Sequence, residues 1–373
     1  MLSYWEKEYL INYDLIIIGS GIVGMSTAIW YKEKYPNSAV LILERGLLPS
    51  GASTRNAGFA CFGSLTELID DLKVMSESEV RALVKRRYDG LCAMRSYFGD
   101  NRIGYNHTGG YELICEGEEA ILDHIPTINA LLRPIFMEDV FEQVDEIEDM
   151  GFGKQVVRLV KNKFEGELET GKYIDSLLNT CQLKDIRIIT GADVIEVEPK
   201  VLVKDPLGGS PIAFLSKKVA VCTNAFTKRF FPELDIDPGR GMIMVSNTLA
   251  DQIPWSGSFH YDKGFVYFRK VGQNRLLVGG GRNVDIEGEQ TTLFGINPKI
   301  KTYLQALIHE VILPKQEITI EFEWSGIMAF GNTKEPIVKK ISDRLSVAVR
   351  LGGMGVAIGW ELGRSLSGSF SEG

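Results

Sequence analysis

The chain has 373 residues, 45% of them hydrophobic and 24% charged, with 39 glycines and 13 prolines. This composition excludes collagen-like and disordered chains, and the length exceeds what a single core usually spans, so two domains are expected. Lys and Arg number 41 against 49 Asp and Glu, a net charge of −8 that argues against broad nucleic-acid binding while leaving room for a local basic pocket.

The first strong pattern is Asp14-Leu15-Ile16-Ile17-Ile18, a short apolar run ending in glycines, as in strands covered on both faces. Residues 22–34 read as a helix that stops near Pro36, and 39–43 as a second buried strand; together they make a parallel βαβ unit. The uncharged run 15–31 approaches membrane-spanning length. It follows acidic residues and contains Gly19-Ser20-Gly21, so a buried strand, turn and helix of a soluble, cytoplasmic protein are expected, with no membrane span.

Residues 65–98 look largely helical, 109–114 return to strand, and 118–132 read as another helix. The stretch 138–149 carries carboxylates at 138, 139, 142, 145, 146, 148 and 149; without the order of a calcium loop it reads as a solvated face. A helix over 172–183 and strands over 186–189 and 194–197 follow, then a hairpin near Gly208-Gly209 and a buried strand over 218–222. From 240 to 324 the pattern is mostly β (242–245, 265–269, 276–279, 318–322), interrupted by a helix over 299–311. A buried strand over 345–349, a glycine turn and a helix over 356–366 end the chain. The five scattered cysteines form no CxxC and the four histidines have no ligand spacing, which predicts free thiols, a reducing compartment and no metal site.

Gly19-Ser20-Gly21-Ile22-Val23-Gly24 matches GxGxxG between a strand and a helix, the context in which it binds a dinucleotide. The first glycine makes the turn, the second admits the pyrophosphate, and the third packs helix on strand. Glu44, closing the second strand, is placed to hold ribose hydroxyls and to repel a 2′-phosphate. The fingerprint does not separate NAD from FAD. The following Gly51-Ala52-Ser53-Thr54-Arg55-Asn56-Ala57-Gly58-Phe59, rich in small and hydroxyl residues, suits the longer FAD, since it can reach a second phosphate and lie along a ring.

Glu44-Arg45 and the 51–58 segment resemble the D-amino-acid oxidase family of flavoproteins, which includes glycine oxidase, sarcosine oxidases and gamma-glutamylputrescine oxidase. Leu168-Glu169-Thr170-Gly171-Lys172-Tyr173, Val219-Ala220-Val221-Cys222-Thr223-Asn224-Ala225-Phe226 and Gly352-Gly353-Met354-Gly355-Val356-Ala357 carry the likeness to the end of the chain. The resemblance implies FAD, with Gly19, Gly21 and Gly24 at the pyrophosphate and Glu44 at the adenosine ribose; it is expected to be non-covalent, because no cysteine follows Cys222, where sarcosine oxidase has a flavin-linked one. It puts Ser53, Thr54 and Arg55 at the phosphate or ribityl region, and Asn56, Ala57 and Gly58 along the isoalloxazine. Val194 would meet adenine, and Gly353, Met354, Gly355 and Val356 the polar edge of the flavin. Ser20, Ile22, Val23, Arg45, Phe59, Thr223, Asn224 and Gly326, within or beside the same motifs, complete the cofactor side.

The expected architecture is α/β plus α+β. A discontinuous Rossmann-type FAD-binding domain (1–100, 153–235 and 325–373) receives an inserted antiparallel-β substrate domain (101–152 and 236–324). The candidate substrate-side residues are Tyr267, Arg269 and Met328. Tyr267 and Arg269 share strand parity, and a guanidinium suits a carboxylate. Met328 stands where the family often has an arginine that binds the substrate carboxylate, and it offers no charge. Arg240 is expected to be structural. Cys61 follows the flavin-side loop, where a buried free thiol is expected. The implied activity is removal of a hydride from the carbon beside nitrogen in a small amine or amino acid, with electrons passing to O2 or a redox partner. Oxidation of a 2-hydroxy acid or polyol, and a flavin-binding protein without turnover, are the alternatives.

Overall fold

The computed structural model describes residues 2–145 and 147–370. Glu146 of the acidic run lies outside the described residues. A short helix, Tyr4–Tyr9, opens the chain behind a Ser3/Glu6 capping box that the hydrophobic pattern does not signal.

The first sheet is the expected parallel one. Its strands stand in the order Leu345–Val349, Ile212–Val221, Asn12–Ile18, Val40–Leu43 and Arg187–Ile189, all parallel, with Ile337–Lys340 antiparallel at one edge. Leu15, Ile17, Val40 and Ile42 pack under helices Ile22–Lys34, Glu77–Phe98, Thr170–Leu183 and Gly355–Gly368. Ile16, Ile18, Leu41 and Leu43 face the opposite core, roofed by the hairpin of Val201–Val203 with Ile212–Val221 and by the 225–236 segment. Both faces are covered, which is why these strands read as unbroken apolar runs.

The second sheet has eight strands, in the order Ile320–Phe330, Asp237–Ser246, Arg275–Gly280, Val266–Val271, Ser258–Tyr261, Gly110–Cys115, Val156–Asn162 and Phe141–Val144. Its neighbours pair antiparallel except Ser258–Tyr261 with Gly110–Cys115. The outer face buries Met242, Met244, Phe259 and Phe268 against helix Pro298–Leu307, which ends in a π-turn, Ile308–Ile312, where a continuous helix is expected.

Two boundaries fall elsewhere than the sequence pattern places them. Val156–Asn162 pairs with Gly110–Cys115, so this part of 153–162 belongs to the second sheet, and the chain rejoins first-domain residues at Gly166–Glu167, which pairs with Phe59–Ala60. Ile320–Phe330 pairs along the whole of Asp237–Ser246, so 325–330 also belong to the second sheet. Both are matters of pairing partner, which no local pattern encodes. The acidic run is solvated as expected. Glu142 pairs with Lys161 and Lys163, Asp139 with Arg133 and Asp145 with Arg158. Among the described residues no helix is long and apolar enough to cross a membrane, and no group of His, Cys, Asp or Glu could hold a metal.

Candidate active site

The two sheets enclose a cavity of about 1240 Å³. Its first-domain end is built largely of main chain. Strand Asn12–Ile18 runs into Gly19 at φ +100°, where a Cβ would stand 2.8 Å from the Cys222 carbonyl oxygen. Gly24 is tighter, since its Cβ would stand 2.0 Å from the Gly19 carbonyl oxygen, so it fixes the helix against the turn. Helices Ile22–Lys34 and Gly355–Gly368 both start at the cavity, and neither has a side-chain cap at its N-cap residue. Ser53 Oγ accepts the Ile22 N–H at 3.0 Å. Two such helix starts on one cavity offer N–H groups and partial positive charge to an anion. Glu44 is held at the rim of this end. Its Oε2 accepts from Ser20 N (3.0 Å) and Ser20 Oγ (2.7 Å), and its Oε1 accepts from Gly46 N at 2.8 Å.

The loop between the domains is stitched to both. Trp324 Nε1 donates to the Arg55 carbonyl at 3.1 Å, and Arg55 Nη1 donates to the Ser325 carbonyl at 2.8 Å. Asn56 Oδ1 accepts from Gly58 N and Thr170 Oγ1, both at 2.9 Å, while its Nδ2 donates to the Ser53 carbonyl at 2.7 Å. Across the cavity, the Arg350 N–H donates to Asn224 Oδ1 at 3.1 Å and ties two further turns together.

The second sheet supplies side chains. One register row crosses six strands: Glu112, His260, Tyr267, Gly279, Ile243 and Trp324. Paired positions share a face, and this face looks at the first domain. The Phe59 ring stands edge-on to both His260 (5.3 Å) and Tyr267 (5.5 Å). Burial pushes the Tyr267 hydroxyl up to about 12, so it stays protonated, and it has no protein partner among the described residues. Burial lowers His260 to about 4, the field of Glu67 opposing, so its ring is neutral. Glu67 lines the mouth; burial works against its ionisation, but Arg87 and Lys334 outweigh it and hold the carboxyl at about 2. Two buried acids, Glu112 in the row and Glu165 outside it, have no ion-pair partner among the described residues. Glu112 is raised by burial despite bonds from Ser64 and Thr66, and Glu165 is raised by burial to about 8 despite accepting from Phe62 N and Gly63 N.

A family model described as FAD dependent oxidoreductase matches residues 14–368. The chain belongs to this family, the DAO family. No curated protein matches it in sequence. Among solved structures it is similar to glycine oxidase from Geobacillus kaustophilus, with 17% identity, a TM-score of 0.74, and coverage of 95% of this chain and 93% of that one. Iminodiacetate oxidase from Chelativorans sp. BNC1 gives 17%, 0.73, 95% and 94%. L-Proline dehydrogenase from P. horikoshii gives 14%, 0.71, 96% and 92%. At these identities the likeness is one of fold.

The residues present fit FAD. The start of helix Ile22–Lys34 suits a pyrophosphate, that of Gly355–Gly368 suits a second electron-rich edge, the anchored Glu44 carboxylate suits a ribose diol, and the glycine turns leave the main chain bare. Of the expected cofactor residues, Gly19, Gly21, Ile22, Val23, Glu44, Arg45, Ser53, Arg55, Asn56, Ala57, Phe59, Val194, Thr223, Asn224, Gly326, Gly353, Met354, Gly355 and Val356 line the cavity. Four do not. Ser20 orients Glu44, and Gly24 packs helix on turn. Thr54 spends its hydroxyl on the Pro49 and Gly51 carbonyls, and Gly58 accepts the Leu168 N–H. Cys61 lines the cavity, and burial, reinforced by Glu165 and Glu67, raises its thiol well above the ordinary value.

On the substrate side Tyr267 and Met328 line the cavity and Arg269 does not. Arg269 lies on the same face as Tyr267, as parity requires, but turns under the loop. It donates to the Leu168 carbonyl at 3.0 Å and stands 3.4 Å from Glu167 and 3.6 Å from Glu169, so its charge is spent between the domains. Arg240 is structural, bonded twice to buried Glu289 at 2.7 and 3.0 Å. Sequence reasoning missed His260, Glu67, Lys334 and Arg282, all of which line the cavity. Only Arg282 carried a local signal: it directly follows Gly279-Gly280-Gly281, a break in the strand.

Proposed function

We propose that this oxidoreductase oxidises a C–N bond, taking a hydride from the carbon beside nitrogen in a small amine or amino acid, with FAD held non-covalently. The observation that carries the reading is the continuity of the cavity. A main-chain end suited to a dinucleotide opens, at residues 55–59, onto an end walled by side chains of the second sheet. Bound there, FAD supplies the two-electron acceptor.

The chain's own residues supply position and protonation state. Gly19, Gly21 and the start of helix Ile22–Lys34 hold phosphate; Glu44 holds ribose; Gly353 to Val356 bring a second helix start to the far edge, where it favours negative charge. Tyr267 donates its hydroxyl hydrogen to a substrate acceptor. Among the described residues the acid lining the sheet end, Glu67, is bound by Arg87 and Lys334, so it is not free to pair with an ammonium ion. The sheet end therefore favours the free amine, the form whose nitrogen lone pair assists loss of a hydride from the neighbouring carbon. The protonated Cys61 thiol is a poor nucleophile, which supports a cofactor without a covalent link.

The test is a purified protein and a panel of amines, amino acids and 2-hydroxy acids, added without oxygen. The expected result is a yellow protein, its flavin released by acid, bleached by members of the first two classes with an imine-derived product. Bleaching only by hydroxy acids would contradict the reading.

A further inference from the structure

Among the described residues, Arg282 at the sheet end of the cavity is a cation with no hydrogen bond or ion pair of its own, reached only by the more distant fields of Glu289 and Asp237. Arg282 follows Gly281, which at φ +73° caps the short 3-10 turn Arg282–Val284. It lines the cavity half-buried, and its Nε is buried without a partner. Among the described residues its guanidinium makes no hydrogen bond and no ion pair; it lies over the Phe330 ring with Cζ 4.5 Å from the centroid. Each neighbouring cation has a polar partner, an acid for three of them and a carbonyl for Arg55. Arg240 pairs with Glu289, Lys334 with Glu67 and Asp71, Lys263 with Asp70, and Arg55 donates to Ser325.

The fold makes room for this cation. Gly239 stands opposite Met328 in the pairing of the two strands. A Cβ at Gly239 would meet Phe330 Cε2 at 2.4 Å and Arg282 Cζ at 3.2 Å. The guanidinium therefore comes to rest over the Gly239–Met328 pair, delivered from a different strand end. A half-buried charge without a counter-ion is costly, and a bidentate anion is its best partner. The same cavity is also lined by apolar Met328, Phe330, Phe265, Leu293 and Phe294, the last with the Arg55 guanidinium 4.6 Å from its ring centroid. Phe265, Leu293 and Phe294 remain 43%, 72% and 43% exposed at the rim, apolar surface that an apolar ligand would cover.

We propose that the substrate is an α-amino acid with a large apolar side chain, its carboxylate bound by Arg282 and its side chain by Phe265, Leu293, Phe294 and Phe330. This rests on the amine-oxidising reading above and narrows it. A diamine or polyamine is disfavoured, because the carboxylates described at this end, Glu67 and Asp71, are already paired.

Calorimetry on the FAD-loaded protein tests the anchor without turnover, using phenylacetate, acetate and phenethylamine as probes. Phenylacetate should bind about tenfold or more tightly than acetate, the gain coming from the buried ring. Phenethylamine, which lacks the carboxylate, should bind weakest. Arg282→Met should weaken phenylacetate on the order of ten- to a hundredfold, Arg282→Lys should recover part of that loss, and both should retain flavin. Equal binding of phenylacetate to the Arg282→Met protein, or of phenethylamine and phenylacetate to the unaltered one, overturns the inference. Anaerobic bleaching is read separately. Bleaching by amino acids with no Arg282 dependence sinks the anchor and spares the broader reading. Arg282-dependent binding with no bleaching by any amine or amino acid supports the anchor and sinks the broader reading.

Discussion

The two ends of the cavity are made in opposite ways. At the first-domain end the cavity is built of main chain at two helix starts, and side chains such as Ser53, Thr54 and Asn56 serve the main chain. At the sheet end the cavity is lined by side chains, each from a different strand: His260, Tyr267, Ile243, Met328 and, from beyond a strand end, Arg282. A phosphate is recognised wherever free N–H groups converge, so the first end needs shape and little chemical variety. A substrate is recognised by charge and apolar area, so the second end can change residue by residue while the sheet stays the same. Met328 and Arg282 illustrate this: the position on one strand is neutral, and the charge arrives from another.

Four variants break or sharpen that contrast. Gly24→Val strikes the main-chain end hardest. Its side chain would collide with the Gly19 carbonyl, which is backbone and has no rotamer to yield. A loss of about 3 kcal/mol or more is expected, with protein that purifies colourless or fails to fold; the check is flavin absorbance per mole of chain. Arg269→Met should unfold the join between the ends. It leaves buried Glu167 unpaired, at a cost of about 3 kcal/mol, so the melting temperature falls while KM stays unchanged. A raised KM with unchanged melting would instead make Arg269 a substrate ligand.

Glu165→Gln tests the buried acids. Glu165 is raised to about 8 in the folded protein, against 4.5 for the free side chain. Between those values the unfolded chain ionises while the folded one stays protonated. The folded state thus binds more protons, and stability falls as pH rises through this window. The slope should reach about 1.4 kcal/mol per pH unit and flatten above about pH 8. In the glutamine variant, which keeps the oxygen that accepts from Phe62 and Gly63, that slope should vanish from denaturant melts taken at several pH values. Tyr267→Phe is the mildest change. It removes one hydrogen bond of about 1 kcal/mol, so flavin reduction should slow several-fold with cofactor retention and melting unchanged.

The contrast also explains what could be read from the chain. The βαβ unit, the glycine turn and Glu44 were legible because the main-chain end depends on short, contiguous patterns, and residues 22–34 and 345–349 begin and end where the periodicity puts them. The sheet end depends on register. His260 and Tyr267 face each other across a hairpin, but Glu112 stands beside them only because a strand far away in sequence pairs in parallel with the first of the two, and no window of sequence contains that fact. The same limit misplaced residues 156–162 and 325–330, whose strand character is real but whose partners lie far along the chain. Arg269 shows a subtler limit. Parity gave its face correctly, yet which partner it met on that face was settled by Glu167 and the Leu168 carbonyl from the other domain.

The central claim is that one cavity joins an FAD site to an amine-oxidising site. Its most direct test is the absorption spectrum of the purified protein, followed without oxygen as amino acids and amines are added. The account predicts flavin bands that bleach on addition of an apolar amino acid and return when air is admitted or an electron acceptor is supplied. A protein that cannot be loaded with FAD, or one that stays yellow with every amine and amino acid tried, would contradict it.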